Sequence, residues 1–304
     1  YKTLASSLFY AVLLLSVFSK SYGDTHTPYA WYTFNIPPFG SESGEGIGFD
    51  LAHAYIDAGF NNSIVMVNVE RWYREMLDPQ NTIFCASGSW KLPNTQHRVY
   101  SNSIINTVDY GVAVRPELYK ELSLNGKRRI VSIVDVMNAT KSGDQLLMLA
   151  GRPIFGKMND LIEAGRLVDE LNITGMTASE GPVSMLRMAD AGNREVDSAL
   201  VFPEEYVVFE KNYPYHSLEY LALSEGISFA PIRASCPDTE QGRLIISTIN
   251  KMLDQGLRDR AFNLFLEALP NIDEIQQQAR FNQRCIKDNS CIDPLVGTSN
   301  VSIQ

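Results

Sequence analysis

The chain has 304 residues, 45% of them hydrophobic and 20% charged, and its formal net charge is −9. That composition is ordinary for a globular protein and excludes an intrinsically disordered or collagen-like chain. The acidic balance disfavours a general nucleic-acid binder, which needs a basic face, and no block of like charges marks a polybasic membrane patch. At about 100–200 residues per domain, the length suggests two lobes, each with its own core.

Lys2 precedes an uncharged apolar run from Leu4 to Phe18, and Ser21-Tyr22-Gly23 places small residues at the −3 and −1 positions of a cut after Gly23. This is the pattern of a secretory signal peptide over residues 1–23, and the run is short for a bilayer span. Retention as an N-terminal anchor is the alternative. Export would place the mature protein in the periplasm, where disulfides are the default state of cysteine. Four cysteines allow three pairings. Cys285 and Cys291 flank a five-residue polar loop, IKDNS, which suits a local bridge and leaves Cys85 with Cys236 as a long-range pair. Zinc is disfavoured: there is no CxxC, and His26, His53, His97 and His216 show no ligand spacing. No His can be nominated as the base for a nucleophilic cysteine. No metal or cofactor is expected.

Residues 28–36 are aromatic and β-prone and run into Pro37-Pro38. Gly44-x-Gly46-x-Gly48 has the wrong spacing for a phosphate loop and reads as a flexible turn. It precedes a helix over 49–59. A strand is expected at 63–69, a short helix at 71–77, and a strand at 82–86 that ends in the small residues Ser87-Gly88-Ser89, which read equally as turn formers or as hydroxyl donors. Strands follow at 109–114, 146–150, around Ile173, at 196–202, 220–223 and 227–232. Residues 131–137 open a helix or strand. Helices are expected at 158–165, 182–191, 203–211, 241–255 and 258–268, with Gly256 as the last break. After Pro270 the chain is polar and Gln-rich and is expected to be marginally ordered. Alternating strands and helices define an α/β protein with mainly parallel sheets.

Four stretches carry a resemblance. They are IPPFGSESGEGIGFDLAHAYIDAG (36–59), FCASGSWKLPNTQHRVYSNSI (84–104), MLRMADAGNREVDSALVFPEEYVVF (185–209) and CPDTEQGRLIISTINKMLDQG (236–256). In this order the chain resembles the family 3 extracellular solute-binding proteins, with the type II periplasmic binding fold, over about residues 28–268. The last stretch looks like a bacterial subgroup in which Cys-x-x-Thr-x-x-Gly precedes the closing helix. The resemblance implies two α/β lobes, each a mainly parallel sheet flanked by helices, joined by two crossovers. The implied lobes are 24–104 with 223–281, and 105–222, with 282–304 as a tail. It also implies a monomeric exported protein that binds a small solute in the cleft and hands it to a membrane permease or reports it to a sensor. A few relatives of that fold are exported dehydratases of cyclic prephenate-like acids, so an enzyme is one alternative, and a ligand-sensing module acting by protein contact is another.

One departure bears on the ligand. Amino-acid-binding members clamp the substrate α-carboxylate with an Arg, whose planar fork matches a carboxylate. Here Thr95 stands near that place, and Arg98 follows three residues late with its side chain expected to turn away from the cleft. The second-lobe Asp of the family would fall near Phe202 or Pro203, with Glu204 and Glu205 just after.

Ligands of such α/β proteins sit where loops leave the carboxyl ends of strands. The segments that qualify are 31–39, 87–91, 151–155 and 202–206. They are rich in aromatic residues, Trp31, Tyr32, Phe34, Phe39, Trp90, Phe155, Phe202 and Tyr206, of which Phe39 and Trp90, on loops beside Pro and Gly, are the favoured walls of a site. Ser87 and Ser89 could donate hydroxyls. Arg152 is the candidate for an anionic group, and Glu204 is a further candidate, although acids such as Glu204 and Glu205 are favoured at a helix start in any case.

Overall fold

The computed structural model describes residues 29–34, 38–57, 59–60, 63–92, 94–108, 110–140, 145–149, 171–174, 181–192, 196–225 and 229–288. The segment read as a signal peptide, Arg152 with its loop, the helix expected at 158–165, and Cys291 lie outside these residues.

The first sheet is built on β1 (Ala30–Phe34), with β2 (Ser63–Val67) and β3 (Phe84–Ser89) parallel on either side of it. β12 (Phe229–Pro237) continues the sheet antiparallel to β3, and β4 (Arg98–Tyr100) and β5 (Ile105–Val108) both pair with β12. Side chains alternate between the two faces of this sheet. Trp31 and Cys85 pack with α1 (Ile47–Asp57), through Ile47, Leu51 and Tyr55. Tyr32, Phe34, Phe84 and Ala86 pack with α2 (Val69–Leu77), through Trp72 and Met76. Coverage on both faces explains why all six residues of β3 are buried.

Gly48, in the first turn of α1, has a specific task. A Cβ there would overlap Thr33 Oγ1 and stand 2.5 Å from Ser87 Oγ and 2.8 Å from the Phe39 carbonyl oxygen. Gly46, at φ 125°, sits against the Pro38 carbonyl. The glycine-rich segment is a turn before the helix, as expected, and its Gly46 and Gly48 also let that helix approach the sheet closely. Gly48→Ala should lower stability by about 1–3 kcal/mol, the scale of overpacking. An unchanged midpoint in urea unfolding would contradict this.

The second sheet runs β7 (Ile130–Val131), β11 (Glu219–Leu223), β6 (Gly111–Val114), β10 (Val196–Val201), β8 (Gln145–Leu149), β9 (Leu171–Thr174). β8 is parallel to β10 and β9, whereas β6 is antiparallel to β10 and β11. Helices α3 (Pro116–Leu122), α4 (Ile133–Ala139), α5 (Gly181–Asp190) and α6 (Pro203–Asn212) accompany it. The chain enters this sheet after β5 and leaves it before β12. The two crossing strands lie side by side, Phe229 opposite Val108 and Ile232 opposite Ile105. A pair of adjacent crossing strands is the geometry of a hinge between two lobes.

Helix α4 shows how the second lobe is pinned. Ser132 Oγ accepts from the Val134 N–H, and Glu225, in the turn after β11, accepts from Ser132 Oγ (2.6 Å), the Ile133 N–H (3.1 Å) and Ser224 Oγ (2.9 Å). Partial burial alone would raise the Glu225 pKa, but these hydrogen bonds outweigh it and hold the carboxyl below its ordinary value. A depressed folded-state pKa stabilises above the unfolded pKa and is lost as pH falls through the folded one. The melting temperature should therefore drop between about pH 5 and about pH 3, and Glu225→Gln should shrink that drop. An equal drop in the variant would contradict the assignment.

The Cys-x-x-Thr-x-x-Gly stretch has a local reason at each position. Cys236 is bonded to Cys85. Thr239 is the N-cap of α7 (Glu240–Met252), its Oγ1 accepting from the Gly242 N–H. A Cβ on Gly242 would overlap the Pro237 carbonyl. A kink at Gly256, whose φ of 111° is outside the helical region, redirects the chain into α8 (Arg258–Glu267).

Three expectations need correction. The segment after Pro270 is an ordered helix, α9 (Asp273–Asp288), and not marginal: Ile275, Ala279 and Asn282 form a buried stripe, and Asn106 of β5 donates to the Asn282 carbonyl (3.1 Å). The helix runs across the tail boundary expected at 282. Second, Ser87, Gly88 and Ser89 belong to β3 rather than to a turn. Third, β12 reaches Pro237 instead of stopping at 232. Cys285 is disulfide-bonded as well.

Candidate functional site

The carboxyl ends of β3 and β10 bring two aromatic residues together. Trp90 follows β3 and Phe202 follows β10, and their rings stack with centroids 6.1 Å apart and planes 22° apart. Phe202 stacks in turn on Tyr110, at 4.2 Å, just past the first crossing. On the other side Trp90 meets Trp72 of α2 edge-on at 6.3 Å, and Trp72 meets Phe34 edge-on at 5.2 Å. The result is a continuous aromatic ladder from the first sheet to the second. Trp90 touches all three hydrophobic clusters found among the described residues.

Gly88 aims the end of β3. Its φ of 73° lies in the left-handed region, and a Cβ there would stand 3.2 Å from the Phe34 ring and 3.5 Å from the Phe39 ring. Phe39 is thus packed over the strand end, beside the ladder, and is 7% exposed. The sequence nominated Phe39 and Trp90, and both are at this strand end. It gave no signal for Trp72 and Tyr110, because one lies on a helix and the other at a crossing.

The serines are placed differently from expectation. Ser87 is buried on the α1 face and donates to the Tyr32 carbonyl (3.3 Å). Ser89 is fully buried and shares a 3.0 Å hydrogen bond with Ser235, whose hydroxyl also meets Met76 Sδ. Both hydroxyls serve the lobe interior. Tyr206 does too: it is 6% exposed and donates to the Leu218 carbonyl (2.8 Å), and burial pushes its pKa up. Glu205 Oε2 accepts the Phe202 N–H (3.0 Å), which caps α6 and fixes the backbone that presents the Phe202 ring. Glu204, beside it at the start of α6, is a carboxylate only 2% exposed.

Thr95 and Arg98 also face inward. Thr95 Oγ1 lies 2.7 Å from the Leu92 carbonyl and 2.6 Å from the Tyr100 hydroxyl. Arg98, 4% exposed, donates Nη2 to the carbonyls of Phe84 (3.0 Å) and Ser235 (3.4 Å), and its guanidinium lies 4.3 Å from the centre of the Phe84 ring. Burial lowers its pKa to about 10. The guanidinium joins β4 to β3 and β12, next to the two residues that precede the bridged cysteines. Among the described residues there is no group of His, Cys, Asp and Glu that could hold a metal ion, and no helix long and apolar enough to cross a membrane.

Two mixed sheets flanked by helices, adjoining crossing strands and strand ends that face each other define a two-lobed periplasmic-binding-protein fold of type II. Solved structures share it. The GluR0 ligand-binding core in complex with L-glutamate superposes with a TM-score of 0.56 at 10% identity, over 82% of this chain and 100% of that one. A histidine kinase sensor domain with similarity to periplasmic binding proteins gives 0.55 at 13% identity, over 81% and 96%. The amino acid ABC transporter substrate-binding protein AbpA from Streptococcus pneumoniae, bound to L-arginine, gives 0.55 at 13% identity, over 80% and 96%. No protein-family model matches the sequence, and no curated protein matches it.

Proposed function

We propose that the protein is an exported solute-binding protein that captures a small polar, aromatic or organic-acid-like solute between its lobes, without catalysis. The observation that carries this reading is the Trp90–Phe202 stack, contributed by strand ends of two different sheets across a pair of hinge strands. Parting those rings opens an apolar slot with π faces on both sides, and closing them on a flat or cationic solute supplies stacking from each lobe. Phe39 forms the adjoining wall and Glu204 the anionic contact. Arg152 is proposed for an anionic group of the solute. The lobes are proposed as residues 24–104 with the returning chain from 223 to the end of α9, and 105–222. The closed form is the one recognised by a membrane permease or a sensor. The fold similarity to transporter-linked and sensor proteins supports both partners. Cleavage after Gly23 and delivery to the periplasm agree with the bridge between Cys85 and Cys236, which an oxidising compartment favours.

A thermal-shift screen of amino acids, polyamines and organic acids, with every hit followed for turnover, tests the proposal. One solute at a hundred times its Kd should add about 2.7 kcal/mol of stability by mass action and remain chemically intact. Conversion of the hit to a product would replace the binding role with the dehydratase-like alternative.

A further inference from the structure

The turn after α3 departs from the usual helix ending. Ser123 is the C-cap, with φ −78° and ψ 0°. Beyond it the Asn125 N–H donates to the Lys120 carbonyl (2.9 Å) and the Leu124 N–H to the Glu121 carbonyl (3.3 Å). These are the two bonds of a Schellman motif, in which the residue after the cap is left-handed and is most often Gly. Here that residue is Leu124, at φ 49°, followed by Asn125 at 58° and Gly126 at 83°. A bulky residue with positive φ is a backbone outlier, and such outliers cluster at functional sites. Leu124 is not compensated by burial, since it is 47% exposed. The apolar contact that often closes this motif would join residues 120 and 125, which are Lys and Asn here.

The turn is nevertheless held in place. The Gly126 N–H donates to Ser123 Oγ (2.8 Å) and the Arg128 N–H to the Ser123 carbonyl (2.8 Å). The Ala222 N–H of β11 donates to the Arg129 carbonyl (2.9 Å), and the Arg129 guanidinium lies 5.6 Å from the centre of the Tyr119 ring. Leu124 thus stands on a fixed knuckle, with Lys127, Arg128 and Arg129 exposed after it and Lys120 exposed one turn before. Glu117 and Glu121 of α3 and Asp135 of α4 are the acids of the adjoining helices. The chain as a whole carries −9, so three consecutive cations form a basic island on an acidic protein. The knuckle leads into β7, the edge strand, three strands or about 14 Å from β10 and the aromatic stack.

We infer that this knuckle docks on an anionic phospholipid surface. Leu124 enters the boundary between headgroups and acyl chains, and Lys127, Arg128 and Arg129 meet the phosphates. Apolar insertion beside cations is the chemistry of interfacial membrane contacts. Three cations are fewer than a polybasic lipid-binding cluster holds, and the insertion of Leu124 supplies the second signal that membrane attachment needs. The contact is a convex turn of seven residues, 123–129, well short of the roughly 20–30 residues a side of a stable protein–protein interface. A lipid surface accepts a contact this small. The acidic remainder of the protein is repelled by the same surface, which turns the knuckle toward it. Docking needs no solute between the lobes.

Flotation of the full chain with vesicles tests the assignment. One set is phosphatidylcholine alone and the other contains about one-third phosphatidylglycerol. The expected result is binding to the phosphatidylglycerol vesicles at low salt, little binding to phosphatidylcholine, and release at about 1 M salt, where screening acts within about 3 Å. Leu124→Gly and Leu124→Asn should each weaken binding about fivefold or more, and Lys127→Gln with Arg128→Gln about tenfold or more. Leu124→Gly should also melt higher than the wild type, because glycine adopts this backbone without strain. Higher stability with weaker docking separates a docking residue from a structural one. Leu244→Ala, at an equally exposed leucine on α7, should bind as the wild type does. Absence of binding to the phosphatidylglycerol vesicles would overturn the inference and leave an acidic protein as the partner of the knuckle. Wild-type binding in both Leu124 variants would overturn it too, as would a lower melting temperature of Leu124→Gly, which would remove the strain it rests on.

Discussion

Replacing both Cys85 and Cys236 with Ala should destabilise the protein by roughly 5 kcal/mol, the chain-entropy value for so long a loop. The two cysteines are 151 residues apart in sequence and adjacent in space on β3 and β12. Between them the chain builds the whole second sheet and crosses the hinge twice. The bridge limits how far the unfolded chain can separate these strands. Cutting it releases the longest loop in the molecule. Urea unfolding of the double variant, against the oxidised wild type, measures the difference. A loss under about 1 kcal/mol would show that the strand pairing, the Ser89–Ser235 hydrogen bond and Arg98 hold β3 and β12 together without the bridge.

Trp90→Ala should cost about 3 kcal/mol of stability, in line with other aromatic truncations. Trp90 is the ring that the three hydrophobic clusters share, so its loss leaves a gap at the junction of the two lobes. The removed ring also ends the contact with Phe202, which is the main stacking between the sheets seen at this place. Trp90→Phe keeps a ring of smaller area and should recover part of the loss. Thermal unfolding of both variants decides this. Equal stability of Trp90→Ala and wild type would mean that the stack contributes nothing to the junction.

Much of the fold was readable because its strands and helices are locally consistent. The alternation from Ala30 to Ser89 reads directly as strand, helix, strand, helix, strand. Pro203 with Glu204 and Glu205 marks a helix start, and Gly256 a helix break. Other features needed tertiary structure. The helix α9 reads as a marginally ordered tail because its buried stripe includes Asn282 and Gln283, polar residues that a hydrophobic pattern does not count. Ser87-Gly88-Ser89 looked like a turn because small residues favour turns. In the structure their size admits Phe34, Phe39 and the N-terminus of α1 to the strand.

The site was legible in part. Phe39 and Trp90 are on loops beside proline or after a strand end, where an aromatic residue has no core neighbour in sequence to explain it. The partners that make the ladder, Trp72, Tyr110 and Phe202, come from segments 18 to 112 residues away from Trp90, and no local pattern joins them. Ser87, Ser89 and Tyr206 failed as ligand donors for one reason. A hydroxyl beside a strand finds a backbone carbonyl or another hydroxyl first, and here each does.

The central claim is that a solute binds between Trp90 and Phe202. Calorimetric titration of the wild type, Trp90→Leu and Phe202→Leu, with the solute that the thermal screen selects, tests it most directly. The account predicts a single site in the wild type and about a tenfold or greater loss of affinity in each variant, the scale of losing one stacked aromatic face. Full wild-type affinity in both variants would contradict it, since the solute would then be held elsewhere.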